Sequence, residues 1–343
     1  MTGSRSVSVP KIAVVVLNWN GRADTLDCLE SLKAVDYPNW DVLVVDNGSE
    51  DDSVEAIRKN HPEIPIIETG KNLGFAGGNN RGIQEALRRD AEFVLVLNND
   101  TVVASDLLRR LARSAAEYPD AAALGPTIYY SGDPGRVWYA GARWRRDKAA
   151  FEHIGQGGVE SGVELARVRE TEYVCGCAMF LRASALRQVG LFDPTFFLLF
   201  EETDWCFRAR QSGYRSLVVP DARVWHKVSG SFGGRHSPLY EYFYTRNILL
   251  WAKRYLGKND RLRVWYRTWM DAAEPWSDLA GTILGLVRGN GGLRHVYWAA
   301  RRCLREDSAG GAARERIRAR RVGLRDYLLG RFGDCPPEVR IPR

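Results

Sequence analysis

A chain of 343 residues suits about two domains, and its 45% hydrophobic and 27% charged residues fit a globular protein with ample core, excluding a disordered or fibrous one. No apolar run approaches the roughly 20 residues needed to span a bilayer, and the opening MTGSRSVSVPK lacks the apolar stretch of a secretory signal, so a cytoplasmic location is expected. The net charge of +7 is uneven, because residues 251–343 hold 20 Lys+Arg against 10 Asp+Glu while the rest holds 29 against 32.

KIAVVVLN (11–18) reads as a buried strand, and the helix that follows over 21–35 carries Leu26, Leu29 and Leu32 on one face. WDVLVVDN (40–47) is a second strand, with Ser49 as N-cap candidate for the helix in DDSVEAIRKN. A short strand IPIIET precedes a glycine-rich loop, GKNLGFAGGNNRG, whose helix runs to about Asp90. FVLVLNNDTVVA (93–104) is again a strand, ending in two amides and a carboxylate. Repeated β-α-β units imply a parallel sheet with right-handed crossovers.

From about residue 120 the pattern changes. GRVWYAGARWRR alternates like a strand pair, and TEYVCGCAMFLRAS reads as a strand entering a helix, with Cys175 and Cys177 alternating in the strand. RSLVVP is a further strand, and LYEYFYTRNILLWAKRYL is a long helix. From 259 onward only helical patterns remain, with breaks at Pro275, at 289–292 and at 310–311. The six cysteines, Cys28 and Cys206 on predicted helices among them, lack a second pair at zinc spacing and are expected as buried free thiols.

Four stretches carry candidate chemistry. Asp46, at a strand end in VVDNGS, can accept a hydrogen bond from an imide N–H such as uracil or thymine offers; DNGS is also an ordinary turn. The loop KNLGFAGGNNRG lets backbone approach an anionic ligand ahead of a helix N-terminus, yet it is neither a P-loop nor a dinucleotide fingerprint. In LNNDT, Asp100 can bind Mg²⁺ or Mn²⁺ with Asn98 lending a carbonyl or orienting a water; the bland alternative is a turn. In FFLLFEETDW, Glu201, Glu202 and Asp204 crowd three carboxyls at a helix start, after a run that should be buried. Helix electrostatics accounts for one or two of them, and buried neighbouring acids are candidate general bases. His226 follows a strand in VWHK and, alone, is as compatible with packing as with ligation.

In their order, VVLNWNG, VVDNGS, NLGFAGGNNRGI, LNNDT, GCAMFLR, GLFDPTFFLLFEETDWCFRARQSGY and YTRN resemble glycosyltransferase family 2, in particular its rhamnosyltransferase-like bacterial members, over roughly residues 10–255. The resemblance implies a GT-A fold, a Rossmann-like α/β nucleotide-binding mixed sheet flanked by helices. It implies a catalytic domain over 1–257, with a donor half at about 10–125 and an acceptor half at about 126–257, and a basic helical extension over 258–343. The activity implied is inverting transfer of a sugar, rhamnose among the candidates, from a dTDP- or UDP-sugar to a hydroxyl of a glycan or lipid-linked acceptor in cell-surface polysaccharide synthesis. Donor contacts would fall on Asn18, Asn20, Asp46, Asn72, Gly74, Asn80, Asn98 and Asp100. The general base would fall on Glu202, with Glu201 the alternative and Asp204 beside them. A divalent cation would be held by Asp100 and His226, since an amide replaces the first acid of the family's D-x-D at Asn98.

Two other classes compete. A sugar nucleotidylyltransferase would need an Arg- and Lys-bearing glycine loop after the first strand, and NWNGRADT is a poor version. A nucleic-acid-binding protein would use the basic tail but leaves the acidic cluster idle. The tail also carries Trp251, Tyr255, Trp265, Tyr266, Trp269, Trp276, Tyr297 and Trp298 beside basic blocks such as RERIRARR (314–321). It is expected either to contact the cytoplasmic face of a membrane or to pack helices on the catalytic domain.

Overall fold

The computed structural model describes residues 9–160, 167–228, 237–273 and 311–340. They fall into two compact units, one of residues 1–145 with 151–231, the other of residues 146–150 with 232–343.

The first unit is built on a sheet in the order β10-β12-β6-β11-β4-β1-β2-β3. Four neighbouring strands, β1 (Ile12–Asn18), β2 (Trp40–Asp46), β3 (Ile66–Glu68) and β4 (Phe93–Asn98), are all parallel. Helices α1 (Arg22–Leu32), α2 (Ser53–Asn60) and α3 (Gly74–Arg88) make the crossovers. Ile12–Val16 and Val94–Leu97 are entirely buried, as expected of strands covered on both faces. The short β5 (Thr101–Val103) and α4 (Leu107–Glu117) lead to β6 (Ala121–Tyr130) and β7 (Asp133–Tyr139). β8 (Ala142–Arg145) and β9 (Ala150–His153) form a separate ribbon, and β10 (Arg169–Glu170) is an edge strand. β11 (Ala178–Arg182) runs antiparallel between β4 and β6. After α5 (Ala183–Val189) and α6 (Glu201–Gln211), β12 (Arg215–His226) pairs in parallel with β6 and antiparallel with β5. The sheet is therefore mixed, as the family resemblance implies.

Three local expectations change. The glycines of GKNLGFAGGNNRG lie mostly inside α3 rather than in a loop. A Cβ on Gly82 would stand 2.2 Å from Val15 Cγ1, so its lack of a side chain serves helix-to-sheet approach. Ser49 is not the cap of α2, which starts at Ser53 after Asp52; its hydroxyl is used in the site described below. Cys175 and Cys177 precede β11 in a turn rather than alternating in it. Cys28, Cys175, Cys177, Cys206 and Cys335 are buried thiols, as expected, while Cys303 lies outside the described residues.

The second unit holds α7 (Pro238–Tyr255), α8 (Lys258–Ala273) and α9 (Gly311–Leu328). Within this unit α7 packs on α8 and α9. Gly323 lets α9 approach so closely that a Cβ there would lie 2.7 Å from the Tyr242 carbonyl oxygen. Arg246 of the YTRN segment is fully buried, stacked on Tyr242, Phe243 and Phe332 and donating to the Gly333 carbonyl at 2.7 Å. Pro275, Trp276, residues 289–292, Tyr297 and Trp298 lie outside the described residues. Among the described residues no helix is long and apolar enough to cross a membrane.

Candidate active site

The C-terminal ends of β1, β2 and β4 lie level, because Asn18 pairs with Asp46 and Leu17 with Asn98. This edge is where open α/β sheets bind ligands. Asp46 is buried there, and its carboxylate accepts from Asn18 Nδ2 at 2.9 Å, from Ser49 N at 3.0 Å and from Ser49 Oγ at 2.6 Å. Asn18 Oδ1 in turn accepts from Thr25 Oγ1 at 2.7 Å. Asn20, in the left-handed region at φ 51°, closes the other side: its N–H donates to Ser49 Oγ at 2.9 Å and its Oδ1 accepts from Glu50 N at 2.7 Å. The turn after β2 is thereby locked from β1.

Asn47 organises the next segment. Its Oδ1 accepts from Leu73 N at 3.0 Å, and its Nδ2 donates to Asn72 Oδ1 and to the Gly74 carbonyl, each at 3.1 Å. Asn72 Oδ1 also accepts from Gly74 N at 2.8 Å, giving a tight entry into α3. Gly74 has φ 72°, and a Cβ there would lie 2.4 Å from the Phe197 carbonyl oxygen. Asn80 is set differently. Its amide exchanges two hydrogen bonds with the Phe192 backbone, at 2.8 and 3.0 Å, bracing the segment ahead of α6.

At the end of β4, Asn98 is held by its backbone: its N–H donates to the Cys177 carbonyl at 2.9 Å and its carbonyl accepts from Thr101 Oγ1 at 2.7 Å. Asn99 turns back to donate to Thr25 Oγ1 at 2.9 Å. Asp100 is buried, and its Oδ1 lies 3.0 Å from His226 Nε2. That approach lacks hydrogen-bond geometry, and Asp100 Oδ1 has no hydrogen-bond partner. An unbonded carboxylate oxygen facing an imidazole nitrogen suits a shared cation, since oxygen and nitrogen ligands each about 2.0–2.2 Å from one ion sit about 3 Å apart when adjacent. The pair is placed by β12 against β5, where His226 registers with Thr101, and by Lys227 N donating to the Asp100 carbonyl at 2.9 Å. Trp138 packs edge-on against the His226 ring at 4.8 Å. Among the described residues no group of three or more His, Cys, Asp or Glu gathers as a metal cage, so such an ion would lean on its ligand's oxygens.

The acidic cluster opens α6 after a contorted loop. Phe197, Leu199 and Phe200 have φ of 61°, 66° and 77°, a conformation costing on the order of 1–3 kcal/mol per residue when the side chain is not glycine. Ala76 N donates to the Phe197 carbonyl at 3.3 Å, joining this loop to the start of α3. Glu201 is buried and Glu202 half-buried, but the Oε2 atoms of both are enclosed and lack a hydrogen-bond partner. Burial first, and then the neighbouring Glu202 carboxylate, raises Glu201 well above the usual range. Burial also pushes Glu202 up, to about 7, while the backbone N–H groups of Glu202 and Thr203 and a hydrogen bond from Glu201 hold it below its neighbour. Both carboxyls are therefore pushed toward the neutral form, Glu202 less far than Glu201. Glu202 faces Gly176, whose Cβ, if present, would lie 3.9 Å from Glu202 Cβ. Gly176 adjoins Cys177, the acceptor of Asn98 N, so the acid cluster and the β4 edge meet around one turn.

Asp204 has another task. It is fully buried and accepts from Arg208 Nε at 2.8 Å, while Arg208 donates to the carbonyls of Val189 and Leu191. The sequence reading did not single out Asn47, Thr25 or Asn99, and gave Ser49 only as a helix cap. Asn47 and Ser49 stand in VVDNGS beside Asp46, but nothing in that string says which polar residue bonds the distant Asn72–Gly74 segment.

Comparison with known proteins gives a consistent picture. The family model described as Glycosyl transferase family 2 matches residues 13–190. An N-acetylglucosaminyl-diphospho-decaprenol L-rhamnosyltransferase of Mycobacterium tuberculosis is 29% identical over 217 residues, covering 56% of this chain and 68% of its own. A dTDP-rhamnosyl transferase, RfbF, of Shigella flexneri is 22% identical over 259 residues, 71% of this chain and 80% of its own. Among solved structures, the mannosyltransferase PcManGT of Pyrobaculum calidifontis, in complex with GDP-Man and Mn²⁺, superposes with a TM-score of 0.56 at 17% identity over 94% of this chain and 88% of its own. GalNAc-T7 with UDP, GalNAc and Mn²⁺ gives 0.55 at 15% identity over 71% of this chain and 48% of its own.

Proposed function

The chain belongs to glycosyl transferase family 2, and we propose that it moves a sugar, with rhamnose the leading candidate, from a dTDP- or UDP-sugar to a hydroxyl of a glycan or lipid-linked acceptor in cell-surface polysaccharide synthesis. Membership sets aside the nucleotidylyltransferase and nucleic-acid-binding alternatives. The observation that carries the mechanism is the Glu201–Glu202 pair at the start of α6, two adjacent carboxyls whose Oε2 atoms are enclosed and whose ionisation burial opposes.

Glu202 takes the proton of the acceptor hydroxyl as that oxygen attacks the anomeric carbon, and the nucleoside diphosphate leaves from the opposite face with inversion. Glu201, protonated, donates to Glu202 and keeps its charge on the attacking side. Asp204, through Arg208 and the Val189 and Leu191 carbonyls, positions the start of α6 rather than touching the substrate. Asp46 accepts the imide N–H of the base, held in place by Asn18 and Ser49. Asn20 and the Asn72–Gly74 turn shape the cleft over the donor, and Asn80 braces the loop that delivers Glu202. A divalent cation would be held by Asp100 and His226, with Asn98 alongside. When bound, it neutralises the charge that develops on the departing diphosphate. The names of two relatives, a rhamnosyltransferase acting on a decaprenol-linked sugar and a dTDP-rhamnosyl transferase, support the donor and acceptor classes.

A panel of sugar nucleotides, read by release of nucleoside diphosphate, tests the assignment. Turnover of dTDP-rhamnose above the other donors is expected. Preference for an ADP-sugar would remove the role given to Asp46, because adenine has no imide N–H to donate there.

A further inference from the structure

Of the eight large hydrophobic residues exposed among the described residues, six lie on α8 and at the end of α9: Leu262, Trp265, Tyr266, Trp269, Leu328 and Leu329. Leu262, Trp265, Tyr266 and Trp269 recur at i, i+3, i+4 and i+7, one face of one helix. Their exposures are 69%, 37%, 62% and 47%. The face on which α8 packs is another, made by Val264, Thr268 and Ala272, which are buried. The helix thus has a satisfied inner side and an apolar outer side. Trp269 continues into a groove of about 470 Å³ whose walls include Leu324, Leu328 and Leu329 and whose rim carries Arg321 and Arg325.

The charge around this stripe is of one sign. Residues 258–273 hold four basic and two acidic side chains, and residues 311–340 hold eight and four. Two of the acids are the sheltered members of their pairs. Asp260 is 12% exposed, while its partners Arg146 and Arg263 are 75% and 60% exposed, and Asp326 is 4% exposed against 43% for Arg325. Asp271, 51% exposed beside Arg267 at 42%, is an exposed acid on α8, so the outward charge is basic in excess rather than throughout.

We infer that this face of α8 with the end of α9 is a docking surface for an anionic lipid bilayer. Leucines seek the acyl boundary, tryptophan and tyrosine rings settle at headgroup depth, and flanking arginines meet anionic headgroups. A second copy of the chain would set two basic faces against each other, and a nucleic acid would leave the leucines in water. The aromatic set noted in the sequence divides accordingly: Trp251 is fully buried and Tyr255 half-buried against it, whereas Trp265, Tyr266 and Trp269 face out.

The full chain is tested by flotation with vesicles of phosphatidylcholine alone or mixed with phosphatidylglycerol, at low and high salt. The wild type floats with the mixed vesicles at low salt and less with either change. Trp265→Ser with Trp269→Ser, and separately Leu262→Glu with Leu329→Glu, lower vesicle partition at least about tenfold, with thermal melting unchanged. These residues lie outside the catalytic machinery, so diphosphate release by the variants in detergent stays at wild-type level. Absence of flotation by the wild type overturns the inference. So does flotation of both well-folded variants at wild-type level, or capture of the wild type by RNA but not by vesicles.

Discussion

Glu202 is the proposed general base. As a base it must be ionised, and with its carboxyl pushed up to about 7 the rate should rise with pH through that value. Glu202→Gln should cut turnover by roughly 10²–10⁴-fold, the usual contribution of a general base, while donor binding survives. Glu201→Gln should retain most turnover, because an amide can still donate to Glu202. If Glu201→Gln is inactive and Glu202→Gln nearly normal, the base is Glu201. The same shift has a consequence for stability. A carboxyl raised in the folded state contributes stability that is full below the unfolded value of about 4.5 and is lost as pH rises through about 7. Glu202→Gln should therefore raise the Tm at pH 8 by on the order of 2–4 °C and leave it unchanged at pH 4. Equal melting of wild type and variant at both pH values would show that Glu202 ionises without cost. Sequence alone left Glu201 and Glu202 as alternatives, because the order of two adjacent acids says nothing about which carboxyl receives the helix amides.

At the scale of elements, the parallel strands β1, β2 and β4 were legible because their apolar runs end in polar residues at one level, Asn18, Asp46 and Asn98. The glycines around Gly77 were misread as loop because helix entry and close packing use the same residue. Sequence cannot show Val15 waiting on the other side of Gly82. Gly82→Ala should push α3 from β1 and destabilise the fold by about 1–3 kcal/mol, the usual effect of overpacking. In urea this lowers the midpoint and leaves the slope unchanged. A midpoint equal to wild type would mean that the helix has room there. Ser49 was misplaced for a similar reason: a hydroxyl after a strand suits a helix cap in the string, but Asp46 lies nearer to it in space.

For the molecule as a whole, the order of seven short motifs carried more information than any one of them, since each alone is an ordinary turn or helix start. That order pointed to the family, and the match over residues 13–190 bears it out. The division of the chain was less legible. The helix containing YTRN ends the stretch of resemblance, yet Gly323 and the bond from Arg246 to Gly333 tie it to α9 and the segment after it, through contacts separated by many residues in sequence. The claim on which the functional account turns is that Asp100 and His226 hold a cation under the donor's diphosphate. Nucleoside diphosphate binding, followed by titration calorimetry with Mn²⁺ and with EDTA, tests it most directly. The account predicts binding by the wild type in Mn²⁺, lost on chelation and weakened at least about tenfold in Asp100→Ala. Equal affinity in Mn²⁺ and EDTA, unchanged by Asp100→Ala, would contradict it.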